Sequence, residues 1–325
     1  MDIEIRTIRP DEFEAYTLML ETAFGAHGLP EDVERERKVA EIDRHLGAFD
    51  GSQMVGGASA VSFVMTVPGS TVRTAGITGV GVKPTHRRRG VNSALMRRQL
   101  DDVRALGEPA AALHASEGGI YGRFGYGLAS FTCSIDVKRG HSAFVRGYEP
   151  TGRVRLLERA EALEALRPVY DAARRERPGM MELDARWFDY RLDESDHQGR
   201  EPRPWFYAAH ESGDGIDAYA VYRVKHDWEG ERNELAVEEL VALTPRAYAD
   251  MWRYCFDVDL IDRVTAWNRP PDEPLLHLLR APDQLGLKAG DGLWVRLVDV
   301  AKALEERRYA TEGRVVFEVR DLFCP

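Results

Sequence analysis

The sequence predicts an α/β protein in which mixed β-sheets are flanked by helices and two similar units follow one another. Segments that alternate apolar and polar residues, such as 131–137, lie between segments whose apolar residues recur at helical spacing, such as 91–103. The segment Val241–Pro245 echoes Val80–Pro84, and each precedes a helical pattern, although chance explains this similarity equally well. A length of 325 residues suits about two domains at about 150 residues each.

The first half alternates between strand and helix patterns. Apolar residues at helical spacing follow Asp11-Glu12 and predict the first helix, and the charged segment 31–42 predicts a second. The turn pairs Asp50-Gly51 and Pro68-Gly69 separate three strands of an antiparallel meander. The predicted strands lie at 3–6, 45–49, 54–66, 74–82, 110–114 and 131–137, with a further helix at 90–106.

The second half repeats this style after a Gly- and Pro-containing break at 138–152. Helices are predicted at 158–177, 184–192 and 245–256, and strands at 205–210, 218–224 and 235–243. From Gly292 a new pattern begins, with strands at 293–298 and 315–319 around a helix at 299–307. Two strands and one helix cannot bury a core alone. This piece is therefore expected either to dock on the rest or to belong to a truncated module.

Composition and charge exclude several classes of protein. Hydrophobic residues make up 44% and charged residues 30%, as in a globular protein, and no apolar run of about 18 residues or signal-peptide pattern occurs. We therefore expect a cytoplasmic protein without a membrane partner. The net charge of −10 argues against nucleic-acid binding and favours cationic small molecules.

Neither the cysteines nor an aspartate cluster predicts a metal site or a disulfide framework. Cys133, Cys255 and Cys324 are scattered along the chain, and Cys133 lies on an alternating strand, where packing explains it. The cluster Asp257, Asp259 and Asp262 matches no metal-binding loop and is explained by loop solvation.

The strongest local signal is the segment Val-Gly-Val-Lys-Pro-Thr-His-Arg-Arg-Arg-Gly at 80–90, which joins a strand to a helix. The first N–H groups of a helix and its positive dipole end favour an anion. Gly90 permits close approach of a phosphate, and the arginines can bind its oxygens. A solvated basic loop is the alternative. The segment is not a P-loop, because no Gly-Lys-Ser/Thr ends it.

Together with the run Ser-Glu-Gly-Gly-Ile-Tyr-Gly-Arg-Phe-Gly-Tyr-Gly at 116–127, this segment resembles the GNAT superfamily, and most closely the Eis family of multi-amine N-acetyltransferases. The resemblance implies tandem GNAT-like domains, a catalytic one at 1–140 and a degenerate one at 150–285. Asp-Gly-Leu-Trp-Val-Arg at 291–296 resembles the entry to the family's sterol-carrier-like α/β module, which would begin, incomplete, at 286–325.

The resemblance also implies a site for acetyl-CoA as co-substrate, without a metal. The strand at 80–82 would diverge from its neighbour and pair with pantetheine, the Arg-rich loop would bind the diphosphate, and two residues after the 110–114 strand would line the far side. Asn92 departs from the superfamily pattern, which prefers Gly or Ala there. The implied cofactor-binding residues are Val80, Gly81, Val82, Arg87, Arg88, Arg89, Gly90, Val91, Asn92, Ser93, Ser116 and Glu117.

Tyr121 is the predicted catalytic residue. A phenol with a pKa near ~10 is protonated at neutral pH and can donate a proton to the departing thiolate. Taken alone, Tyr121 would more simply be a packed aromatic residue, as we expect for Phe124 and Tyr126. The general base is not assigned. The family's C-terminal carboxylate cannot be placed here. His114, at the end of a strand, could act as the base directly or through water, but it is expected instead to be a buried, hydrogen-bonded histidine. Phe24 is open to two interpretations, an acceptor-pocket wall by resemblance or a core residue.

The sequence therefore predicts an N-acetyltransferase that moves an acetyl group from acetyl-CoA directly to a primary amine. The acceptor would be an aminoglycoside-like or polyamine-like small molecule, or a lysine side chain. The resemblance also implies a homohexamer. The alternative is a non-catalytic acyl-CoA-binding scaffold that lacks a general base, and a lipid-carrier protein is a more remote possibility.

Overall fold

The computed structural model describes residues 3–193, 204–213, 215–226 and 233–323. Fourteen strands form two seven-stranded mixed sheets within these ranges. The strands of the first sheet are β1 (Ile3–Thr7), β2 (His45–Asp50), β3 (Gln53–Val67), β4 (Ser70–Val82), β5 (Ala110–His114), β6 (Gly127–Leu128) and β14 (Leu293–Leu297). Those of the second are β7 (Phe131–Lys138), β8 (Arg153–Leu157), β9 (Phe206–Ser212), β10 (Gly215–Lys225), β11 (Glu234–Ala242), β12 (Arg263–Arg269) and β13 (Lys288–Asp291).

Helices cover both sheets. They are α1 (Phe13–Phe24), α2 (Pro30–Arg37), α3 (Val91–Ala105), α4 (Gly118–Tyr121), α5 (Arg159–Ala165), α6 (Arg167–Arg175), α7 (Ala185–Arg191), α8 (Pro245–Asp257), α9 (Leu275–Leu278) and α10 (Val300–Glu306). No helix in the described part of the chain is long and apolar enough to cross a membrane.

The predicted meander is confirmed, with Gly51 and Gly69 at positive φ in its two turns. One predicted helix, 158–177, is instead two helices. Helix α5 ends at Ala165, and α6 begins at Arg167 with Pro168, which lacks an N–H group, in its first turn. The predicted strand at 315–319 is not a strand: Val316 is 88% exposed, and this segment pairs with no other described segment. Alternation alone does not make a strand when no neighbour satisfies its backbone groups.

Two strands cross the predicted domain boundaries. The first sheet has the order β1-β2-β3-β4-β5-β14-β6, and the second has the order β13-β7-β12-β11-β10-β9-β8. Strand β7, expected in the domain at 1–140, lies in the second sheet, and β14, expected in the module at 286–325, lies in the first. Alternation predicts a strand but does not identify the strand beside it. The identity of the residues after β14 as a sterol-carrier-like module stays a prediction.

The crossing occurs in a two-stranded ribbon. Strands β6 and β7 are consecutive in the chain, as are β13 and β14, and each pair moves from one sheet to the other within one or two residues. At the crossing, Gly292 N donates to Ser130 O at 2.9 Å, and Ala129 N donates to Leu293 O at 2.9 Å. A Cβ on Gly292 would lie 3.0 Å from Ser130 O, so glycine permits this close approach. The ribbon therefore ties the two sheets together.

Each sheet contains one parallel strand pair that is joined through a helix. Strands β4 and β5, joined through α3, pair from Thr74↔Ala110 to Gly76↔Ala112. Strands β11 and β12, joined through α8, pair from Glu234↔Arg263 to Val237↔Ala266. The echo that the sequence shows at Val241–Pro245 therefore marks equivalent strand-to-helix junctions.

The second parallel pair is bridged by a buried network beyond its last paired residues. Arg269, on β12, donates from Nη1 to Leu240 O on β11 at 3.1 Å and from Nε to Glu273 Oε2 at 3.0 Å. Tyr248, on α8, donates a hydrogen bond to Glu273. Glu273 is fully buried, and Arg269 is 7% exposed. The space between these strands is thus occupied by the chain itself.

The Arg269→Leu variant should lose about 3–5 kcal/mol of stability, because it leaves the buried carboxyl group of Glu273 without its cation. Burial raises the pKa of Glu273 to about 7 from an ordinary 4.5, so the folded state binds this proton more tightly than the unfolded chain. Its contribution to stability is full below pH 4.5 and is lost as pH rises through about 7. The loss of unfolding free energy that Arg269→Leu causes, measured in urea, should therefore be larger at about pH 8, where Glu273 is ionised, than at about pH 5.

The matched control is the double variant Arg269→Leu with Glu273→Leu, which removes both buried charges and should recover much of the loss. A single-variant loss under about 1 kcal/mol at both pH values would contradict the assignment of a buried ion pair.

Candidate active site

Strands β4 and β5 diverge beyond their last paired residues. Their pairing ends at Gly76↔Ala112, whereas β4 continues to Val82. On its other edge β4 remains paired with β3, as in Gly57↔Gly81 and Gly56↔Val82. Residues 77–82 therefore have β3 on one side and no strand on the β5 side within the described chain. The predicted divergence at Val80, Gly81 and Val82 is present in the structure.

A β-bulge and two glycines shape this free edge. The register between β3 and β4 shifts near Gly79, whose φ of 58° is favourable for glycine. A Cβ on Gly81 would lie 3.1 Å from Ala23 Cβ and 3.8 Å from Phe24 Cε2, so helix α1 approaches the strand closely. Phe24 itself is 56% exposed, which rules out the core interpretation of this residue. Its ring borders the open edge of β4.

The loop after β4 is anchored on both sides. His86 is buried, with Nε2 3.3 Å from Asp50 Oδ2 and Nδ1 2.8 Å from Thr85 Oγ1. Arg87 donates from Nη2 to Ala23 O at 2.7 Å and from Nε to Val82 O at 3.2 Å. The guanidinium of Arg87 thus fixes the loop to the end of α1, a structural use that the sequence did not predict.

Arg88, Arg89 and Gly90 are exposed at the N-terminus of α3. Arg88 has a φ of 61° and Gly90 a φ of 80°, and no side chain caps the helix. The N–H groups of the first turn, at Val91, Asn92 and Ser93, belong to the four that a helix cannot satisfy itself. The Oδ1 atom of Asn92 is buried without a hydrogen-bond partner, and as an acceptor it does not itself contribute to binding an anion. This helix end therefore presents positive charge and free donors, as an anion site requires.

Tyr121 ends the short helix α4 and is 7% exposed. The segment closes on itself, since Tyr126 N donates to Tyr121 O at 3.3 Å and Gly125 N to Gly122 O at 3.0 Å. The Tyr121 and Tyr126 rings meet edge-to-face at 5.9 Å. Burial, and secondarily the charge of Glu117, raises the pKa of Tyr121 above its ordinary 10. Val80, on the diverging part of β4, packs against the hydrophobic cluster that contains Tyr121.

The remaining predicted residues lie around the end of β5. Ser116 and Glu117 are exposed between β5 and α4. His114 is exposed as well, which corrects the expectation that it is buried and hydrogen-bonded. His114 is the last residue of β5, where the chain passes from buried to exposed positions. The apolar run at 110–113 does not show where that change in burial occurs. Phe124 and Tyr126 are 1% and 3% exposed, which confirms that they pack in the core.

Strand β14 supplies residues that the sequence analysis did not place at the site. Trp294 donates from Nε1 to Asp291 Oδ2 at 2.8 Å, and a Cβ on Gly118 would lie 3.1 Å from Trp294 Cζ2. Arg296 donates from Nη1 to Phe124 O at 2.5 Å. The one available signal was a charged residue within an otherwise apolar strand pattern at 293–297.

The cysteines and the acidic residues are the remaining groups suited to thiol or metal chemistry. No group of three or more His, Cys, Asp or Glu side chains that could hold a metal ion occurs within the described ranges. Cys133 is buried, as is Cys255, and both are free thiols, while Cys324 lies outside the described residues. Burial raises the pKa of the Cys255 thiol to about 12, which makes it a poor nucleophile at neutral pH.

Comparison with protein-family models identifies two regions of this chain. Residues 4–129 match an acetyltransferase (GNAT) domain model, and residues 179–297 match a second model with the same description. The second match ends with β14, in the first sheet.

Similarity to known proteins extends over the whole chain. An uncharacterised N-acetyltransferase of Streptomyces avermitilis is 41% identical over 333 residues, covering 100% of this chain and 81% of its own length. The N-acetyltransferase Eis of Mycobacterium tuberculosis is 34% identical over 338 residues, covering 99% of this chain and 81% of its own length. The crystal structure of Eis1 from Mycobacterium abscessus superposes with a TM-score of 0.83 at 33% identity, covering 99% of this chain and 80% of that one.

The positive φ at Arg88 is expected to lower the stability of the protein. Glycine adopts a φ of 61° without the steric cost of about 1 kcal/mol that a side chain incurs, so Arg88→Gly should raise the melting temperature by about 2 °C. Arg88→Ala retains that cost and should show no gain. The converse change, Gly90→Ala, places a Cβ at a φ of 80° in open space, so it should cost about 1 kcal/mol from conformation alone. Equal stability of the glycine and alanine variants at residue 88 would contradict the assigned backbone.

Proposed function

This chain belongs to the GNAT N-acetyltransferases of the Eis family, and on that premise we propose that it transfers an acetyl group from acetyl-CoA directly to a primary amine of a cationic small molecule. The GNAT fold implies the use of an acyl-CoA. The observation that carries the proposal is the free edge of β4 between the N-terminus of α3 and the phenol of Tyr121.

The residues around this edge fit an acyl-CoA. The main-chain groups of Val80, Gly81 and Val82 bind the pantetheine arm as an added strand, on the side where β5 has turned away. The first turn of α3 binds the diphosphate through its N–H groups, and Arg88 and Arg89 add positive charge. Arg87 acts differently from the prediction, because its guanidinium already binds the carbonyl groups of Ala23 and Val82. It positions the loop and leaves the diphosphate to its neighbours.

Acetyl-CoA, when bound, supplies an acetyl group activated as a thioester. N–H groups of β4 near Val80 stabilise the negative charge that develops on the carbonyl oxygen. The neutral amine forms a bond to the thioester carbon and the C–S bond breaks, with Tyr121, which its raised pKa keeps protonated, donating a proton to the sulfur that leaves. The proton that the amine nitrogen then loses passes to solvent, from which the phenolate is reprotonated. Ser116 and Glu117 line the opposite side of the cleft, and the charge of Glu117 helps to keep the phenol protonated.

Acidic groups of α1 and α2, and an aromatic group beside the free edge, support a cationic acceptor. Burial raises the pKa of Glu21 on α1, and the negative charges of Asp32 and Glu36 on α2 add to this effect. Phe24 lies on α1, exposed next to Gly81. Carboxylates attract an ammonium group and an aromatic face stabilises one, so this border favours a polyamine-like or aminoglycoside-like amine, or a lysine side chain. Assembly as a homohexamer is proposed from the family resemblance.

Thiol release from acetyl-CoA in the presence of a panel of amines tests the transfer reaction. Tyr121→Phe should lower kcat by about 10²-fold, with the KM for acetyl-CoA changed less than about two-fold, because only the proton donor is lost. Turnover should rise with pH as the amine loses its proton. Since the pKa of Tyr121 is raised above 10, no decline from its ionisation should occur below about pH 10.

A panel in which no amine gives thiol release above the rate of hydrolysis would contradict the enzymatic proposal. A Tyr121→Phe variant that binds acetyl-CoA poorly would instead make the tyrosine a binding residue.

Calorimetry with CoA tests the binding site separately from the reaction. Arg88→Ala removes one positive charge at the diphosphate and should weaken CoA binding about three- to ten-fold, with kcat little changed at saturation. Arg98 is an exposed arginine on α3 that pairs with Asp102, and Arg98→Ala is the control. This variant should leave the affinity for CoA unchanged. Tight binding of CoA without transfer to any amine would support the scaffold alternative.

A further inference from the structure

Arg296 is a buried cation that the reaction described above does not use. It lies on β14 and is 3% exposed. Such burial is costly for a charged group unless hydrogen bonds satisfy it. Nη1 donates to Phe124 O at 2.5 Å, and Nη2 pairs with Asp321. Its partners therefore come from two distant parts of the chain.

The first partner lies in the turn that carries Tyr121. Phe124 is three residues beyond Tyr121, within the segment that Tyr126 N closes by donating to Tyr121 O. A Cβ on Gly125 would lie 1.7 Å from Arg296 Nη1, so the guanidinium fills the space that a side chain would occupy. Gly125 also has a φ of 80°. The missing side chain of Gly125 therefore leaves room for the guanidinium of Arg296, and its positive φ is a conformation that glycine adopts readily.

The second partner brings the segment after α10 onto the same turn. Phe323 packs edge-to-face on Phe124 at 5.1 Å, and the guanidinium of Arg97 on α3 lies 4.4 Å from the Phe323 ring centre. Asp321 Oδ1 accepts from Phe323 N at 2.9 Å. The Tyr121 turn is thus enclosed by β14 on one side and by Asp321 and Phe323 on the other.

We infer that Arg296 is a positioning residue that sets the orientation of the Tyr121 phenol by fixing the Phe124 carbonyl from strand β14. The neighbouring Tyr126 ring transmits this constraint, because it meets the Tyr121 ring edge-to-face at 5.9 Å and is itself 3% exposed. The positive charge of Arg296 also opposes the effect of burial on the pKa of Tyr126. This inference rests on the proposed role of Tyr121 as proton donor.

Arg296→Lys tests the inference, because lysine keeps the charge but loses the planar group that binds two partners at once. We expect kcat to fall at least about ten-fold, with the KM for acetyl-CoA changed less than about two-fold. In a Tyr121→Phe background the same change should lower kcat less than about three-fold, because the group that Arg296 orients is gone. Equal losses in the two backgrounds would overturn the inference.

Arg44→Lys is the matched control. The side chain of Arg44 is 7% exposed and binds Glu108 and Ser62 in the first unit, so its change tests the general effect of altering a buried arginine. It should leave kcat within about two-fold of the wild type. Asp321→Asn retains Arg296 but weakens its ion pair with residue 321. The kcat of this variant should lie between those of the wild type and Arg296→Lys.

Spectra of protein with carbon-13-labelled tyrosine give a readout that needs no turnover. The ring signals of Tyr121 and Tyr126, assigned with the Tyr→Phe variants, should shift in Arg296→Lys and stay in place in Arg44→Lys. Unchanged signals would overturn the inference even if the enzyme is active. If the wild type acetylates no amine but the signals shift, the proposed function fails while the positioning of the phenol by Arg296 stands.

Discussion

The geometry of the site depends on hydrogen bonds that two parallel strands do not make. Strands β4 and β5 pair over three residues and then part, although β4 continues to Val82. Unpaired backbone groups need hydrogen-bond partners. In an acyltransferase of this family, the extended pantetheine arm of the acyl-CoA is the partner that we propose. The other parts of the site follow from this divergence. Helix α3 follows the released strand after the loop at 83–90, and Tyr121 ends helix α4, which follows the second strand.

The second unit shows the same architecture with the divergence closed. There Arg269 binds Leu240 O, and Glu273 and Tyr248 complete a buried network between the strands. One parallel pair therefore offers its main chain to a ligand, and the other satisfies it internally. This contrast gives a physical reason why the Arg-rich loop has no counterpart in the second unit. A diphosphate-binding loop has no use beside a space that side chains already fill.

Much of the fold and site could be predicted because local patterns determine them. Glycines at positive φ mark the turns at Gly51 and Gly69, and the Arg-rich segment before α3 marks a helix terminus. Partnership between distant strands could not be predicted. The alternation at 131–138 and at 293–297 is the same whichever sheet receives the strand, so the sequence cannot show that β7 lies in the second sheet and β14 in the first. For the same reason Arg296 was missed, since its importance comes from a contact 172 positions away in the chain.

The exchange of β7 and β14 has a consequence for synthesis on the ribosome. In the first sheet β14 lies beside β5, so the pairing of β5 on that side is incomplete until Leu297 has left the exit tunnel. The GNAT unit at the N-terminus cannot mature co-translationally before the unit that follows it, in contrast to domains that fold one after another. Until then, β5 has an open edge next to the nascent active site.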